Sequence, residues 1–383
     1  MSVYEWIIGA WTTLVIYCIG FYYTLVEFFN DRFSVTNRSY VEYLRMKIES
    51  SGFRRCSIAR EHPIAVVTGA SGTIGYEIVR QLLNLGYKVE AIAREAGCLT
   101  TLKDVRLSIH LIDMGDLIKV RRVADEIVGR APEGIDLLVC NAGIMFHHYE
   151  VNAAGHEQHM AVNLLSHALL IDVLLSSMRN ATHPIRIICV SSSTAHAVHI
   201  DDTAIQNGGI FARYINGYHA YALSKLSLAL YAEQLNRYLE EELLERDTEK
   251  CRIKVCSVHP GCVPGDLYRN VFYPCRILIN YLLSPFMRKA AVAAAEILAT
   301  VMNDELKGGC YYEPFSIAEL LCLRCRKAAV AAAEILATVM NDELKGGCYY
   351  ERMESVALRP DIPDTVRRRL FNRIQQTVHY SNF

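Results

Sequence analysis

The sequence lacks an excess of charge of either sign: 40 Lys and Arg stand against 41 Asp and Glu, a formal net charge of -1 over 383 residues. No whole-chain field draws it to nucleic acid, which is excluded as an expected partner. Charged residues are scarce at 21%, while hydrophobic residues reach 52%. That balance is too apolar for a disordered chain and points to a membrane contact. The 13 cysteines are odd in number and lack the dense spacing of a disulfide scaffold. Cys140, Cys189 and Cys256 fall in apolar runs and read as reduced core residues. Cys322 and Cys325 form a close pair with no second pair at zinc-finger spacing, so no metal is assigned to them. No GxSxG occurs, which removes the nucleophile of an α/β hydrolase. His147, His148, His156 and His159 are metal-like in number, but HEQH is one residue short of the zincin HExxH, and no metal site is expected.

The segment from Trp6 to Val26 has no charged residue. At ~1.5 Å per residue a helix there is about 30 Å long, enough for one bilayer crossing. No Lys or Arg precedes it, and Gly20 is followed by Phe21, Tyr22 and Tyr23 rather than by small residues, so a retained anchor is favoured over a cleaved signal. Arg32, Arg38, Arg45 and Lys47 follow, and the positive-inside rule then puts the bulk of the chain in the cytosol. The expected location is a single-pass position in the endoplasmic reticulum or a related lipid membrane. Sequons at Asn37 and Asn180 test that orientation.

Short β-branched runs then alternate with helical patterns: IAVVTG, YKVEAIA, SIHLID, IDLLVC, IRIICVS and IKVCSV. They predict an α/β fold with a doubly wound parallel sheet, whose ligands bind beyond the carboxyl ends of the strands. The sequence RKAAVAAAEILATVMNDELKGGCYYE occurs at Arg288 to Glu313 and again at Arg326 to Glu351. Two perfect copies are not a solenoid, which needs at least three stacked units. One copy supplies a helix and strand that complete the sheet; the other has no slot. The expected organisation is an anchor over 1–30, a linker over 31–60, the α/β domain over 61–313, the segment holding the second copy over 314–351, and a tail helix over 352–383.

The first strand runs into TGASGTIG, Thr68 to Gly75, and then into a helical pattern. A strand, a glycine-rich turn and a helix N-terminus suit a dinucleotide pyrophosphate, although a tight strand-to-helix turn reads the same way on its own. Tyr221 and Lys225 in YALSK are four apart on one helix face. A phenol has a pKa near 10, so bringing it near 7 takes about 3 units, on the order of 4 kcal/mol, which a close ammonium partly supplies. By spacing alone YxxxK also fits a solvated helix face. Ser192 closes IRIICVSS at the same sheet edge, where its hydroxyl can meet a substrate oxygen or satisfy local backbone.

TGASGTIG, CNAG, Asn163 in AVNLLSHALL, VSS, YALSK and HPG occur in the order and approximate spacing of the short-chain dehydrogenase/reductases. From about Pro63 to Glu313 the chain resembles that family, and VSSSTAH with HPG is most similar to its membrane-anchored, retinol-dehydrogenase-like branch. GCVPGDLYRNVF adds a likeness to a member whose implied substrates are long isoprenoid alcohols. The resemblance implies a Rossmann domain and a set of roles. Tyr221 is then the general acid/base, Lys225 its pKa-lowering partner and ribose ligand, Ser192 the orienting hydroxyl and Asn163 part of a proton relay. Thr68, Gly69, Ser71, Gly72, Thr73, Ile74 and Gly75 form the pyrophosphate turn. Asn141, Ala142 and Gly143 lie beside the adenosine half, with Cys140 in place of the usual Asn. Asp113 matches an acid that contacts adenine, and Pro260 and Gly261 match the turn under the nicotinamide.

The chain departs from the family pattern twice. Glycines at Gly69, Gly72 and Gly75 follow the TGxxGxxG spacing of the extended branch, whereas the commoner TGxxxGxG places glycine where Thr73 stands. A left-handed backbone at Thr73 would cost roughly 1 to 2 kcal/mol, so the turn is expected to differ there. The family's Thr after PGxV is replaced by Gly265, removing a hydroxyl expected near the carboxamide.

YKVEAIAR ends its strand in Ala93 and Arg94 rather than an acid, which favours NADP(H) over NAD(H); a simple solvated arginine is the other reading of Arg94. The segment Val271 to Met287 has one charge and sits where a substrate lid belongs; an ordinary buried helix is the other reading. The resulting expectation is a membrane-anchored oxidoreductase acting on a lipophilic alcohol/carbonyl pair of the retinoid, steroid or polyisoprenoid class, and compatible with a homo-oligomer. An extended-type enzyme acting on nucleotide sugars and a non-catalytic NADP-binding interaction protein are the alternatives.

Overall fold

A computed structural model describes residues 3–33, 37–53, 63–313, 354–356, 359 and 361–380, except 133, 180, 182, 199, 201, 207–213, 246–252, 272 and 305. All six expected strands form: β1 (Ile64–Thr68), β2 (Lys88–Ala93), β3 (Leu107–Leu111), β4 (Leu137–Cys140), β5 (Ile185–Val190) and β6 (Ile253–Val258). The first copy of the duplicated sequence contributes a helix, α7 (Ala290–Val301), and a strand, β7 (Tyr311–Glu313). The second copy, with Cys322 and Cys325, lies outside the described residues. Strand order is β3-β2-β1-β4-β5-β6-β7-β8, where β8 is Glu354–Val356. Pairing is parallel from β3 through β7, and β8 closes the edge antiparallel. β4 and β5 are buried at every position because helices cover both faces.

One face carries α4 (Leu117–Arg130), α5 (Gln158–Met178) and α6 (Gly217–Glu245). α4 starts where Asp116 accepts from the Lys119 amide, and Leu117, Val120, Val123 and Ile127 at helical spacing turn inward. α5 is apolar enough to cross a membrane, but 78% of its window is buried in the domain, which makes it a core helix. A C-terminal helix, α8 (Asp364–Tyr380), adds Val366, Leu370, Ile374 and Val378 to this core. The other face carries α7 and α3 (Thr73–Asn84), whose Ile78, Val79, Leu82 and Leu83 are buried.

The stretch read as a linker contains a helix, α2 (Asn37–Ser50). Leu44 and Ile48, four apart, and Phe53 beyond its end are buried in the second core. Asp304 accepts the Gly52 and Phe53 amides at 2.7 and 2.8 Å and ties that end down.

The N-terminal helix, α1 (Val3–Phe33), contains the candidate membrane span Trp6–Leu25. One stripe is bare, with Trp6, Trp11 and Phe21 all more than 60% exposed. The opposite stripe rests on the domain with Ile16, Tyr23 and Glu27 buried, and beside it the Tyr17 hydroxyl meets that of Tyr218 at 2.8 Å. The strand order reverses between β1 and β4, and at that switch point the carboxyl ends of the strands open into a cleft.

Candidate active site

β1 delivers the chain into a turn that only small residues permit. Gly69 has φ 62, and a β-carbon there would stand 2.7 Å from the Ala142 Cα. A β-carbon on Gly75 would overlap the Gly69 carbonyl, so the first turn of α3 can press against the loop. Gly72 donates to the Gly69 carbonyl at 3.0 Å and precedes the first helical residue, Thr73. Thr73 is not among the residues of positive φ. The turn differs from the commoner pattern there: its left-handed position is Gly69, not Thr73. Gly265, with φ 157, lies against Thr73, and a β-carbon on it would overlap the Thr73 hydroxyl.

Thr68, expected to touch cofactor, is fully buried behind the cleft. Its hydroxyl oxygen accepts the Asn141 and Ala142 amides, both at 2.9 Å, and so shapes the Asn141–Gly143 turn. The Asn141 side chain donates to the Thr68 carbonyl at 3.0 Å, completing the clamp. His167 meets the Thr68 hydroxyl at 3.0 Å through Nε2 and the Asn163 carbonyl at 3.0 Å through Nδ1. Burial pushes its pKa down to about 4. Sequence reasoning passed over His167, because nothing in AVNLLSHALL says that its ring reaches back to β1.

Asn163 is also buried out of the cleft. Its amide oxygen accepts the Ile144 amide at 2.8 Å, and its nitrogen donates to the Ile144 carbonyl at 3.0 Å and the Ser224 hydroxyl at 2.8 Å. It joins the Asn141–Gly143 turn to α6, which carries Tyr221 and Lys225.

Tyr221, Lys225 and Ser192 converge on a single cleft of about 1120 Å³, together with Gly69, Ser71, Gly72, Thr73, Ile74, Gly75, Arg94, Asp113, Asn141, Ala142, Gly143, Pro260 and Gly261. Tyr221 is packed edge-on by Phe146 at 5.5 Å, and Phe146 stacks on Tyr218 at 3.9 Å. Burial pushes the phenol up to about 12, with a hydrogen bond from Ser192 opposing the rise. Lys225 donates to the Val190 carbonyl at 2.8 Å, and burial lowers its pKa to about 8. The sequence predicts an ammonium that acidifies the phenol. In the structure desolvation dominates both groups, and the Lys225 amine is turned toward β5.

At the adenosine end, Arg94 leaves β2 with its side chain 57% exposed and 3.9 Å from Glu95. Arg269, which no motif marks, lines the same cleft. Its pKa is lowered by burial and then by the charge of Arg94, against Asp266 and Asp113. Asp113 accepts the Gly115 amide at 2.7 Å. The opposite end is apolar, walled by α1 and by the turns Leu278–Leu283 and Ser284–Phe286. The sequence left that segment as lid or buried helix; Tyr281 and Leu282 are 78% and 64% exposed, and Leu283 and Met287 line the cleft.

The histidine cluster divides. His159 is buried, bonding Glu157 at 2.7 Å and accepting the His147 amide at 3.0 Å. His147, His148 and Glu150 bring their ligand atoms within 4.8 Å of one another, and His147 also lines the cleft.

The cradle fits a dinucleotide. Its glycines leave no side chain over the helix N-terminus, where amides and the helix dipole favour an anion, and the cleft has room for a second, apolar ligand. The profile of the short chain dehydrogenase family matches residues 63–203. Retinol dehydrogenase 11 of Homo sapiens is 30% identical over 234 residues, covering 58% of this chain and 68% of that protein. Retinol dehydrogenase 12 of Homo sapiens is 28% identical, covering 68% of this chain and 80% of that protein. Polyprenol dehydrogenase of Danio rerio is 27% identical, covering 70% and 83%. An uncharacterised protein from Mycobacterium Paratuberculosis shares the fold, with a TM-score of 0.55 at 21% identity over 82% of this chain and 93% of that one. With the glycine turn, YALSK and the cleft between them in place, the chain belongs to the short-chain dehydrogenase/reductases, the NAD(P)-dependent oxidoreductases, in their retinol-dehydrogenase-like branch.

Proposed function

We propose that this protein is a membrane-anchored, NADP(H)-dependent enzyme that interconverts a lipophilic alcohol and its carbonyl, with Tyr221 as the acid/base. The observation that carries the reading is the convergence of Tyr221, Lys225 and Ser192 between a glycine turn and an apolar chamber. Gly69 to Gly75 would hold the pyrophosphate, Asn141 to Gly143 and Asp113 the adenosine half, Lys225 a ribose, and Pro260 and Gly261 the nicotinamide. The bound cofactor supplies or accepts the hydride. Arg94 backed by Arg269 gives the ribose end two cations, which suits a 2′-phosphate.

Tyr221 works as the proton donor in carbonyl reduction. A phenol raised to about 12 is fully protonated at neutral pH, which is the form that donation to a carbonyl oxygen requires. Ser192, in the same cleft as the phenol, would hold the same oxygen. The walls of α1 and the turns of 278–286 offer an apolar chamber, which suits retinoid, steroid or polyisoprenoid substrates. The names of the retinol and polyprenol dehydrogenases point the same way. The bare stripe of α1 would sit in lipid of the endoplasmic reticulum or a related membrane, with the domain toward the cytosol and the sequons at Asn37 and Asn180 unmodified.

The deciding experiment follows NADPH oxidation by the full chain with retinal, a steroid ketone, a polyprenal and a UDP-sugar, alongside Tyr221→Phe. Turnover of an apolar carbonyl, lost in the variant while NADPH binding stays within about threefold, supports the reading. Turnover of the UDP-sugar alone, of nothing, or by Tyr221→Phe overturns it.

A further inference from the structure

Helix α1 does more than carry an apolar stripe. It bonds the domain at three levels. Near its start, Asn216 donates to the Gly9 carbonyl at 3.1 Å. In the middle, Tyr17 meets Tyr218, the residue stacked on Phe146 beside Tyr221. At its end, Glu27 is fully buried and its carboxylate accepts the Cys262 amide at 2.9 and 3.2 Å. A carboxylate at the end of an apolar helix is costly to bury and persists where it has a fixed partner. The partner is the turn expected under the nicotinamide. Gly261 there has φ 87, and a β-carbon on it would stand 2.7 Å from Glu27 Oε1, so the turn is shaped to receive this side chain.

Above that latch, Ile16, Gly20 and Thr24 fall four apart on one face and line the cleft, opposite Ile279, Leu283 and Phe286. Phe28 closes the far end edge-on against Phe286 at 5.0 Å. The two walls form one slot with Tyr221 and with the exposed Phe21 and Leu25 of the bare stripe, all of which line a single cleft.

We propose that α1 is a wall of the substrate chamber as well as an anchor, and that Glu27 is the positioning residue that holds it there. The slot then selects elongated apolar alcohols and aldehydes over short ones. The selection rests on the oxidoreductase reading above; the position of the helix does not.

Two measurements on the full chain test the pair of claims. Thr24→Cys places a thiol beside native Cys262, whose side chain faces Thr24 and the Gly20 carbonyl. Mild oxidation should give a Thr24→Cys to Cys262 disulfide, identified by peptide mass; its absence overturns the docked helix. Glu27→Ala should lower kcat/KM for retinal at least about tenfold more than kcat/KM for butanal, chiefly through KM. Glu27→Gln, whose amide oxygen still accepts from Cys262, should stay within about threefold of the parent for both aldehydes. Equal losses for retinal and butanal in Glu27→Ala overturn the selecting role. A parent chain that reduces neither aldehyde defeats the oxidoreductase reading and the selection with it, while the disulfide still decides where the helix lies.

Discussion

Thr73 and Gly265 touch: a β-carbon on Gly265 would fall on the Thr73 hydroxyl. These are the two positions where the chain departs from the family pattern, one carrying a threonine for a glycine and the other a glycine for a threonine. The departures are therefore one exchange of volume and hydroxyl across a single contact. Gly265→Ala should weaken NADPH binding at least about tenfold, and adding Thr73→Gly should recover about half of that loss in free energy. Recovery stays partial because φ 157 at position 265 still disfavours a side chain. The check is a double-mutant cycle read by NADPH fluorescence; additivity within about 0.5 kcal/mol would show the contact to be idle.

Arg94 and Arg269 reach one end of the cleft from β2 and from the loop after β6. Two cations brought together, with burial and repulsion weakening the proton's hold on Arg269, lower in energy when an anion sits between them. Arg94→Glu is expected to raise the NADPH Kd by about 10- to 100-fold while leaving that for NADH unchanged or lower. Titration of both nucleotides against parent and variant tests this. An equal loss for both would remove the 2′-phosphate from the assignment.

Most of the scaffold was legible in the sequence, because buried parallel strands are continuous apolar runs and the glycine turn has a fixed spacing. The expected residues of that turn reach the cleft except Thr68, whose local pattern cannot reveal that its hydroxyl is spent on the Asn141 and Ala142 amides. Asn163 was found for the same reason that its place was missed: a motif gives its position, and only packing shows that its amide is consumed by Ile144 and Ser224. Arg269, His167 and Glu27 carry no local signature at all. Each matters through a partner distant in sequence: Arg94, Thr68 and Cys262.

His167 ties acid stability to the shape of the cofactor turn. Both acceptor positions of the Thr68 oxygen are taken by Asn141 and Ala142, so its proton goes to a neutral His167 ring at 3.0 Å in preference to the Val139 carbonyl at 3.4 Å, and the ring donates from Nδ1 to Asn163. A second ring proton would face a donor. The pKa is about 4 in the folded chain and 6.5 as the ordinary value, so the unfolded state binds more protons between them. This contribution is intact above pH 6.5 and lost as pH falls through 4. His219, also held near 4 by burial, has the same sign. Denaturant unfolding from pH 7.5 to 4.5 should show falling stability, and His167→Gln should flatten the slope by about one proton. An unchanged slope would place the acid sensitivity elsewhere.

Lys225 sets stability against activity. Its folded pKa is near 8 against an ordinary 10.5, because burial penalises the ammonium. A lowered pKa of this size costs on the order of 3 kcal/mol at pH 7, where both states carry the proton. Between pH 8 and 10.5 the unfolded chain binds the extra proton, so the cost fades as pH rises and is gone above 10.5. Lys225→Met removes the charge and keeps the length of the stem, at the expense of the bond to the Val190 carbonyl. The variant should melt above the parent at pH 7, lose that advantage by about pH 10, and reduce carbonyls at least about 100-fold more slowly. Melting curves and initial rates over that pH range check both halves. A variant less stable than the parent at pH 7 would mean that the bond to Val190 outweighs the desolvation of the ammonium, and that the family's lysine is kept here for the fold as much as for the chemistry.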